Sequence, residues 1–194
     1  MKKNILAIFF VFFFSASTNS EITKINPIFD GNIDAKIHLI IYESLTCSHC
    51  ADFHKNVFPE LKKNFIDKGF VKIEFRSFPL DIAGLNASKI AYCKNDGKSD
   101  ILHFLFKNQK KWTKGNTIEE INSDLTKILS TKSYKLDIKK CINSEEIENH
   151  ILEGRIDAVK KFKINATPTL IINNEKFDKP ITFKNLKKVL EKLI

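Results

Sequence analysis

Two cysteines separated by two residues are the part of this sequence best suited to covalent chemistry. They stand in Cys47-Ser48-His49-Cys50, where an apolar, strand-like run is followed by a segment with helical spacing. A helix start offers unpaired backbone N–H groups and a partial positive charge, and both lower the pKa of a thiol placed there. The pattern therefore predicts that Cys47 is a nucleophilic thiolate and that Cys50, one turn later and more buried, is the resolving thiol.

His49 lies between the two cysteines and can donate a hydrogen bond, or a charge, to the Cys47 thiolate. Lowering a thiol pKa from ~8.5 to ~3.5 favours the thiolate by about 7 kcal/mol, at ~1.36 kcal/mol per unit. Because such stabilisation favours the reduced pair, it makes the disulfide an oxidant. We therefore expect thiol–disulfide exchange, with Cys47, Cys50 and His49 as the catalytic residues.

The residues alone leave two other functions possible for the cysteine pair. One is a structural disulfide, and the other is half of a zinc site with both cysteines and a histidine such as His54 as ligands. Zinc sites usually show a second close pair of ligands, whereas Cys93 and Cys141 stand alone and far apart. Since His54 shares a helix face with Phe58, it is better explained as a packed histidine. We predict neither a metal ion nor a cofactor.

Short periodic segments around the cysteines predict the scaffold that positions them. The apolar run 37–42 is typical of a buried strand, residues 47–67 have helical spacing, and residues 71–76 alternate as a half-buried strand does. Pro59 lies inside the helical segment and should kink it, because proline removes a backbone donor. Strand, helix and strand in this order form the unit of a parallel sheet, so we predict an α/β fold.

The sequence pattern in the second half of the chain predicts mainly helices, unlike the strand–helix–strand unit of the first half. Residues from about 83 to 161 contain no convincing strand and carry helical patterns, which predicts an all-helical block. Thr169–Ile172 is then a third strand, residues 173–174 are a hairpin turn, and residues 183–193 form an amphipathic closing helix. The chain is thus predicted to be an α/β domain, residues 21–194, that is split by a helical insertion.

The N-terminus has the three-part layout of a secretory signal. A short basic start is followed by an apolar run over residues 5–14 and by a small, polar stretch that offers cleavage after Ser17 or Ser20. The apolar run is far shorter than the ~20 residues of a membrane-spanning helix, and an uncleaved anchor is the alternative. We predict a signal peptide over residues 1–20 and a soluble product in an oxidising, extracytoplasmic space.

The net charge of +9, from 32 Lys and Arg against 23 Asp and Glu, could suggest a nucleic-acid partner. All of the basic residues except Arg76 and Arg155 are lysines, however, and arginine is the residue suited to bidentate contacts with phosphate and guanine. The lysines are scattered along the chain, which is typical of a solvated surface. We predict no nucleic-acid partner.

Four stretches of the sequence resemble the DsbA-type thiol-disulfide oxidoreductases, in the single-domain branch often labelled periplasmic protein-disulfide isomerase. The stretches are residues 31–35, 42–54, 75–79 and 166–169. The Cys-x-x-Cys motif followed much later by Thr-Pro before a strand is highly specific to this family. The resemblance covers nearly the whole mature chain and implies a thioredoxin fold with a helical insertion. One departure is Ser48, where the family commonly has proline.

The resemblance also implies roles for residues outside the Cys-x-x-Cys motif. Thr167 and Pro168 are expected to be joined by a cis peptide bond and to bind substrate, with the exposed backbone of Thr167 pairing with an extended peptide. Cys93 and Cys141 match a second cysteine pair of relatives in this branch. Bonded to each other, they would stabilise the fold by ~4 kcal/mol in the chain-entropy model, and two free buried thiols are the alternative.

The family implies an enzyme that donates the Cys47–Cys50 disulfide to exported unfolded proteins with cysteines. A DsbB-like membrane oxidase would then reoxidise it, and the periplasm would be its location. Dimeric isomerases of the family carry an N-terminal dimerisation domain, whereas only residues 21–36 precede the first clear strand here, so we predict a monomeric oxidase. The alternatives are a disulfide isomerase or reductase and a thioredoxin-like metal-binding protein.

Overall fold

A mixed sheet forms the centre of the computed structural model, which describes residues 24–194. The signal peptide predicted over residues 1–20 lies outside the described residues. The strands are β1 (Ile28–Asp30), β2 (Ile37–Glu43), β3 (Val71–Ser77), β4 (Thr169–Ile172) and β5 (Glu175–Lys176). They lie in the order β1-β3-β2-β4-β5, in which β2 and β3 are parallel and every other neighbouring pair is antiparallel.

The three strands predicted from periodicity are confirmed, and β1 and β5 are additions. Val71, Ile73 and Phe75 of β3 are fully buried while the residues between them are half-buried, as the alternating pattern predicts. β1 has too few residues to show such a pattern. It forms because Ile28 pairs with Phe75 at the sheet edge and is buried there.

The helical segment after Cys47 is irregular around Pro59. It consists in order of α1 (Ser48–Asp52), a π-helical turn (Phe53–Val57), α2 (Phe58–Leu61) and a second π-helical turn (Lys62–Ile66). Pro59 stands in the first turn of α2, where its missing N–H costs little. The helix predicted over residues 47–67 is thus interrupted by a π-helical turn that ends two residues before Pro59, and the predicted kink stays a prediction.

Between β3 and β4 the described chain contains helices and no strand. These helices are α3 (Ile82–Tyr92), α4 (Asp100–Lys107), α5 (Gln109–Trp112), α6 (Ile118–Ser130), α7 (Ile138–Ile142) and α8 (Glu145–Phe162). α3 lies at the centre of this block, against α4, α6, α7 and α8. A disulfide joins Cys93, directly after α3, to Cys141 on α7, with 5.5 Å between the two Cα atoms.

The chain closes with a hairpin and a helix. Asn173 and Asn174 join β4 to β5 with φ angles of 48° and 72°, in the left-handed region that asparagine tolerates and that two-residue hairpins require. α9 (Phe183–Leu190) ends at Leu190, slightly earlier than the predicted helix, and buries its apolar face in the core. Within residues 24–194, none of the helices is both long and apolar enough to cross a bilayer.

Candidate active site

Cys47 occupies the N-cap position of α1, in extended backbone conformation. The loop from β2 brings it there, and the Cys47 N–H donates to the carbonyl of Ser44 at 3.0 Å. The backbone N–H groups of His49 and Cys50 face the Cys47 sulfur. The sequence prediction of a cysteine at a helix start is therefore confirmed in its geometry.

Several groups stabilise negative charge on the Cys47 sulfur. The largest cause of this stabilisation is a hydrogen bond from the Cys50 thiol. Partial burial disfavours the charge, whereas the Thr167 side chain and two backbone N–H groups favour it. Together they lower the pKa of the Cys47 thiol to about 5. The reduced protein therefore carries a thiolate at neutral pH.

Cys50 has the opposite environment. Its side chain is fully buried, and burial raises the pKa of its thiol far above the usual range. The Cys47 sulfur and the charge of Glu43 raise this pKa further. Cys50 therefore keeps its proton while Cys47 is ionised.

Thr167 and Pro168, remote in sequence, lie beside the cysteine pair. The peptide bond between them is cis, and the Cys47 sulfur lies 3.4 Å from the Thr167 carbonyl oxygen, across 120 residues of sequence, so Cys47 can donate to this carbonyl only in its protonated form. The Thr167 hydroxyl is buried and has no hydrogen-bond partner in the described chain. The Thr167 side chain lowers the pKa of the Cys47 thiol.

The side chain of His49 is placed differently from the sequence prediction. It is exposed, and no hydrogen bond joins its imidazole to Cys47 in the described residues. The backbone N–H of His49, rather than its ring, faces the sulfur. The physical reason is that first-turn N–H groups point toward the N-cap while the side chains project outward.

A groove of about 720 Å³ lies beside the Cys-x-x-Cys motif, lined by His49 of the motif and by Pro168, but not by either cysteine. One wall is formed by the start of α1 and the first π-helical turn, and the other by β4, β5 and the loop after β5. The lining includes His49, Phe53, Pro168, Phe177 and Ile181. The groove thus places apolar surface beside the motif that carries the reactive sulfur.

Gln109 fixes the loop before Cys47 from a distant part of the chain. Its side-chain amide lies buried at the start of α5 and donates to the carbonyls of Leu45 at 2.8 Å and Cys47 at 2.9 Å. One N–H₂ group therefore holds two carbonyls of the loop. The sequence analysis missed this residue, because nothing in the pattern around a single glutamine connects it to the cysteines.

A row of polar side chains inside the domain was also missed. Glu43, His54, His103 and Asp30 follow one another through hydrogen bonds of 2.8, 3.1 and 3.0 Å. His54 is buried and stacks on Phe106 with ring centroids 4.0 Å apart, so it is a packed histidine as predicted. Among residues 24–194, no group of three or more His, Cys, Asp or Glu side chains is arranged to hold a metal ion.

Known proteins of similar sequence are disulfide-exchange proteins by name. The family model described as thioredoxin matches residues 23–192. A putative protein-disulfide oxidoreductase of Rickettsia bellii is 33% identical over 74% of this chain and 55% of its own length. A probable disulfide bond formation protein D of Bacillus anthracis is 29% identical over 84% of this chain and 76% of its own length. This chain spans little more than half the length of the Rickettsia relatives that it matches.

Solved structures show the same similarity in three dimensions. The crystal structure of alpha-DsbA1 from Wolbachia pipientis has a TM-score of 0.78 and 32% identity, and the match covers 87% of this chain and 90% of that one. A protein-disulfide isomerase from Novosphingobium aromaticivorans has a TM-score of 0.72 at 19% identity, over 87% of this chain and 97% of its own. The second match shows a shared fold.

Proposed function

Because the chain belongs to the DsbA-like thioredoxin family, we propose that it exchanges disulfides with cysteine-containing proteins through Cys47 and Cys50. The predicted fold class, a thioredoxin fold with a helical insertion, is confirmed by this membership. The proposed activity rests on the contrast in burial and thiol pKa between two sulfurs one helical turn apart. Cys47 is half-buried with a thiol pKa of about 5, whereas Cys50 is fully buried and its thiol pKa is raised.

Exchange with a client dithiol proceeds in two substitutions at sulfur. First, a client thiolate attacks the Cys47 sulfur of the Cys47–Cys50 disulfide and forms a mixed disulfide, which releases Cys50 to take up a proton. Second, the other client thiolate attacks the client sulfur of the mixed disulfide and releases Cys47 as a thiolate. The client loses two electrons and two protons; one proton ends on Cys50 and the other in solvent.

Stabilisation of the Cys47 thiolate favours the oxidation of clients. The Cys47 thiolate exists only after a client has reduced the Cys47–Cys50 disulfide. Every hydrogen bond to this thiolate therefore stabilises the reduced protein, which forms when a client is oxidised. We therefore assign the net direction to oxidation. Isomerisation or reduction is the alternative, and the redox potential decides between them; zinc in the purified reduced protein would instead favour the metal-binding alternative.

The client peptide is assigned to the groove beside Thr167 and Pro168. The Thr167 carbonyl lies within hydrogen-bond distance of the Cys47 sulfur, so a peptide paired with this backbone would have its own cysteine close to that sulfur. Apolar client residues would contact Phe53, Phe177 and Ile181 in the same groove. Unfolded chains expose both extended backbone and apolar side chains, which makes them suitable clients.

The proposed biological setting rests on the N-terminal sequence and on the chemistry. A signal peptide over residues 1–20, cleaved after Ser17 or Ser20, would deliver the protein to the periplasm, where disulfides persist. There a monomer would oxidise exported unfolded proteins and be reoxidised by a DsbB-like membrane oxidase. The Cys93–Cys141 disulfide would serve stability only.

Equilibration of the purified protein with glutathione buffers tests the proposed function. The Cys47–Cys50 pair is expected to have a potential above about −180 mV, the value for a disulfide isomerase. The fraction oxidised is read by acid quenching, alkylation and mass measurement. A potential near about −270 mV, as in thioredoxin, would assign the protein to reduction, and failure to equilibrate at all would exclude exchange.

The reactivity of Cys47 should depend on pH with a midpoint near 5. Iodoacetamide reacts with the thiolate, so labelling of reduced protein is expected to be full at neutral pH and to fall as pH drops through the midpoint. The depressed pKa also means that the stability contributed by this thiolate is complete above ~8.5 and is lost as pH falls toward 5. Peptide mapping should place the label on Cys47, and equal labelling of Cys50 at pH 6 would contradict the assignment.

Thr167→Val should raise the Cys47 pKa more than His49→Ala does. The valine variant removes a buried hydroxyl that has no other partner and that lowers the pKa of Cys47. A hydrogen bond to a charged group is worth about 1.5–3 kcal/mol, which corresponds to about 1–2 pKa units. Even a charge on the exposed His49 ring would act through solvent, at about 1 kcal/mol or less, which is under one pKa unit. Thiolate absorbance against pH measures both variants. A larger shift in His49→Ala would show that its ring, and not only its backbone, holds the thiolate.

A further inference from the structure

A second cleft lies beside the catalytic loop, on the side of the helical insertion. Its volume is about 500 Å³, and one wall is formed by the loop after β3 and the start of α3. The other wall is formed by the loop after α5 and the start of α6. Thr46, the residue immediately before Cys47, also lines it. We call this the insertion cleft, and its large apolar side chains are those of Ile82, Ile118 and Ile121.

The insertion cleft and the groove beside Pro168 lie on different sides of the end of β2, which Cys47 follows. β3 and β4 are the two neighbours of β2 in the sheet, and β3 ends level with β2 because Glu43 pairs with Ser77. Residues of β4 and β5 line the groove, whereas the residues after β3 line the insertion cleft. A peptide chain bonded to Cys47 can therefore extend toward one cleft on each side.

Apolar side chains are exposed at the rim of the insertion cleft. Ile82 is 62% exposed, the highest value among the large hydrophobic residues of the described chain, and the nearby Leu80 is 53% exposed. Ile118 and Ile121 on the other wall are half-buried. Asp81 is the one ionisable residue among the described residues that line the cleft. Such a surface fits an aliphatic side chain, because binding between the two walls removes apolar area from water.

Close contacts hold α3 against the loop that precedes Cys47. The Asp81 carboxylate caps α3 by accepting from the Gly84 N–H at 2.6 Å. A Cβ atom at Gly84 would lie 2.8 Å from Ser44 Oγ and 3.1 Å from Thr46 Oγ1. The absence of a side chain at this position therefore lets α3 pack directly on the loop. This packing fixes the position of the first wall relative to the reactive sulfur.

The second wall of the insertion cleft is joined to the first. The side-chain amide of Asn86 on α3 donates to the side-chain oxygen of Asn122 on α6 at 3.1 Å. Thr117 caps α6 by accepting from the Glu120 N–H, and the Glu120 carboxylate accepts from the Asn116 N–H at 2.7 Å. Because both walls are held in place before a ligand arrives, binding requires little ordering of the protein.

We propose that the insertion cleft binds an aliphatic side chain of the client, on the flank of the client cysteine that points away from Pro168. The inference rests on the proposed function and adds to it a second site of client selection. The occupant is an unfolded client chain, because the cleft is continuous with the loop that carries Cys47. Client residues on one flank contact the groove, and residues on the other flank contact Ile82. A cysteine with apolar residues on both flanks is therefore the preferred client.

Mixed-disulfide formation in the Cys50→Ala protein tests the proposal, because this variant retains the bound peptide. The substrate is a dimer of a single-cysteine peptide joined by a disulfide. The Cys47 thiolate attacks one of its sulfurs, the bond between the peptides breaks, and the second peptide leaves as a thiolate. Three peptides are compared, with leucines before the cysteine, with leucines after it, or with serines on both sides. Acid quenching and mass measurement give the rate constants.

Adding Ile82→Ser should lower the rate constant for only one of the two leucine peptides. The ratio between the two leucine peptides is expected to change about 10-fold, the lower end for a lost apolar contact in a pocket. Ile82→Leu should keep the wild-type ratio, because it preserves the aliphatic surface. Ile82 is exposed, so these substitutions leave the folded structure intact.

Ile33→Ser is the matched control. Ile33 is 58% exposed, similar to Ile82, but lies in the turn before β2, at the opposite end of that strand from Cys47. This variant should change the rate constants of all three peptides by no more than about twofold, as is usual for a surface substitution.

The outcomes separate the insertion cleft from the proposed function. An equal fall with both leucine peptides, or a fall with neither, would overturn the insertion cleft and leave disulfide exchange in place. The same change of ratio in Ile33→Ser would show that any loss of exposed apolar surface is sufficient, and would also overturn it. Absence of a mixed disulfide with every peptide would overturn the proposed function itself.

Discussion

Replacing Cys47 by alanine is expected to abolish disulfide exchange, whereas replacing Cys50 is expected to trap clients. Cys47 is the half-buried sulfur that a client can reach and the one that ionises near pH 5. Without Cys50, a client bound to Cys47 cannot be released by attack from within the protein, so mixed disulfides should accumulate. Non-reducing gels and mass measurement would detect them with a peptide dimer joined by a disulfide, because the Cys47 thiolate attacks that disulfide and releases one peptide as a thiol.

The double variant Cys47→Ala with Cys50→Ala controls for adventitious thiol reactions. It retains the Cys93–Cys141 disulfide and should give neither exchange nor trapped client. Trapping of clients by Cys47→Ala, rather than by Cys50→Ala, would reverse the assigned roles. Equal trapping by both single variants would mean that the burial of Cys50 does not restrict access to its sulfur.

Replacing both Cys93 and Cys141 by alanine should lower stability strongly and leave exchange intact. The bridge closes a loop with a sequence separation of 48, for which loop-closure entropy predicts a loss of about 4 kcal/mol. Both residues lie within the helical block, and neither lines the groove beside Cys47. Urea unfolding gives the free energy, and peptide oxidation at a temperature where the variant is folded gives the activity.

Reduced wild-type protein supplies the comparison for this variant, because reduction opens both cysteine pairs at once. Alkylated, fully reduced protein lacks both bridges and also the stabilising Cys47 thiolate, so it should be no more stable than the alanine variant. If the variant lost exchange activity while its unfolding free energy stayed unchanged, the second pair would take part in electron transfer, and its assignment to stability would be wrong.

Local periodicity was sufficient to predict the elements that carry the cysteine motif. β2, β3 and β4 each contain enough consecutive residues for burial to appear as a pattern, and the two asparagines after β4 specify a hairpin turn by their backbone preference. β1, in contrast, forms a strand because it pairs with β3. A segment of three residues at a sheet edge has no pattern of its own, so only the position of β3 reveals it.

The groups that surround the cysteines depend on tertiary contacts and could be predicted only in part. The motif itself indicated Cys47 and Cys50, and the resemblance to a family indicated Thr167. Gln109 and His103 come from the helical block, and their partners are set by how that block packs on the sheet. A polar residue in a helical pattern is usually solvated, so its burial against a distant loop leaves no signal in the sequence.

The two hydrogen bonds of Gln109 limit how freely this architecture can be taken apart. Helical insertions are often treated as modules that evolution adds to a finished domain and that an engineer can remove. Here the amide from α5 donates to the carbonyls of Leu45 and Cys47. A minimal domain without the insertion would leave the Leu45 carbonyl without this donor, and the Cys47 carbonyl would keep only the bond from the Ala51 N–H. The insertion and the catalytic loop have therefore become interdependent, and any shortened design must supply a substitute donor at that point.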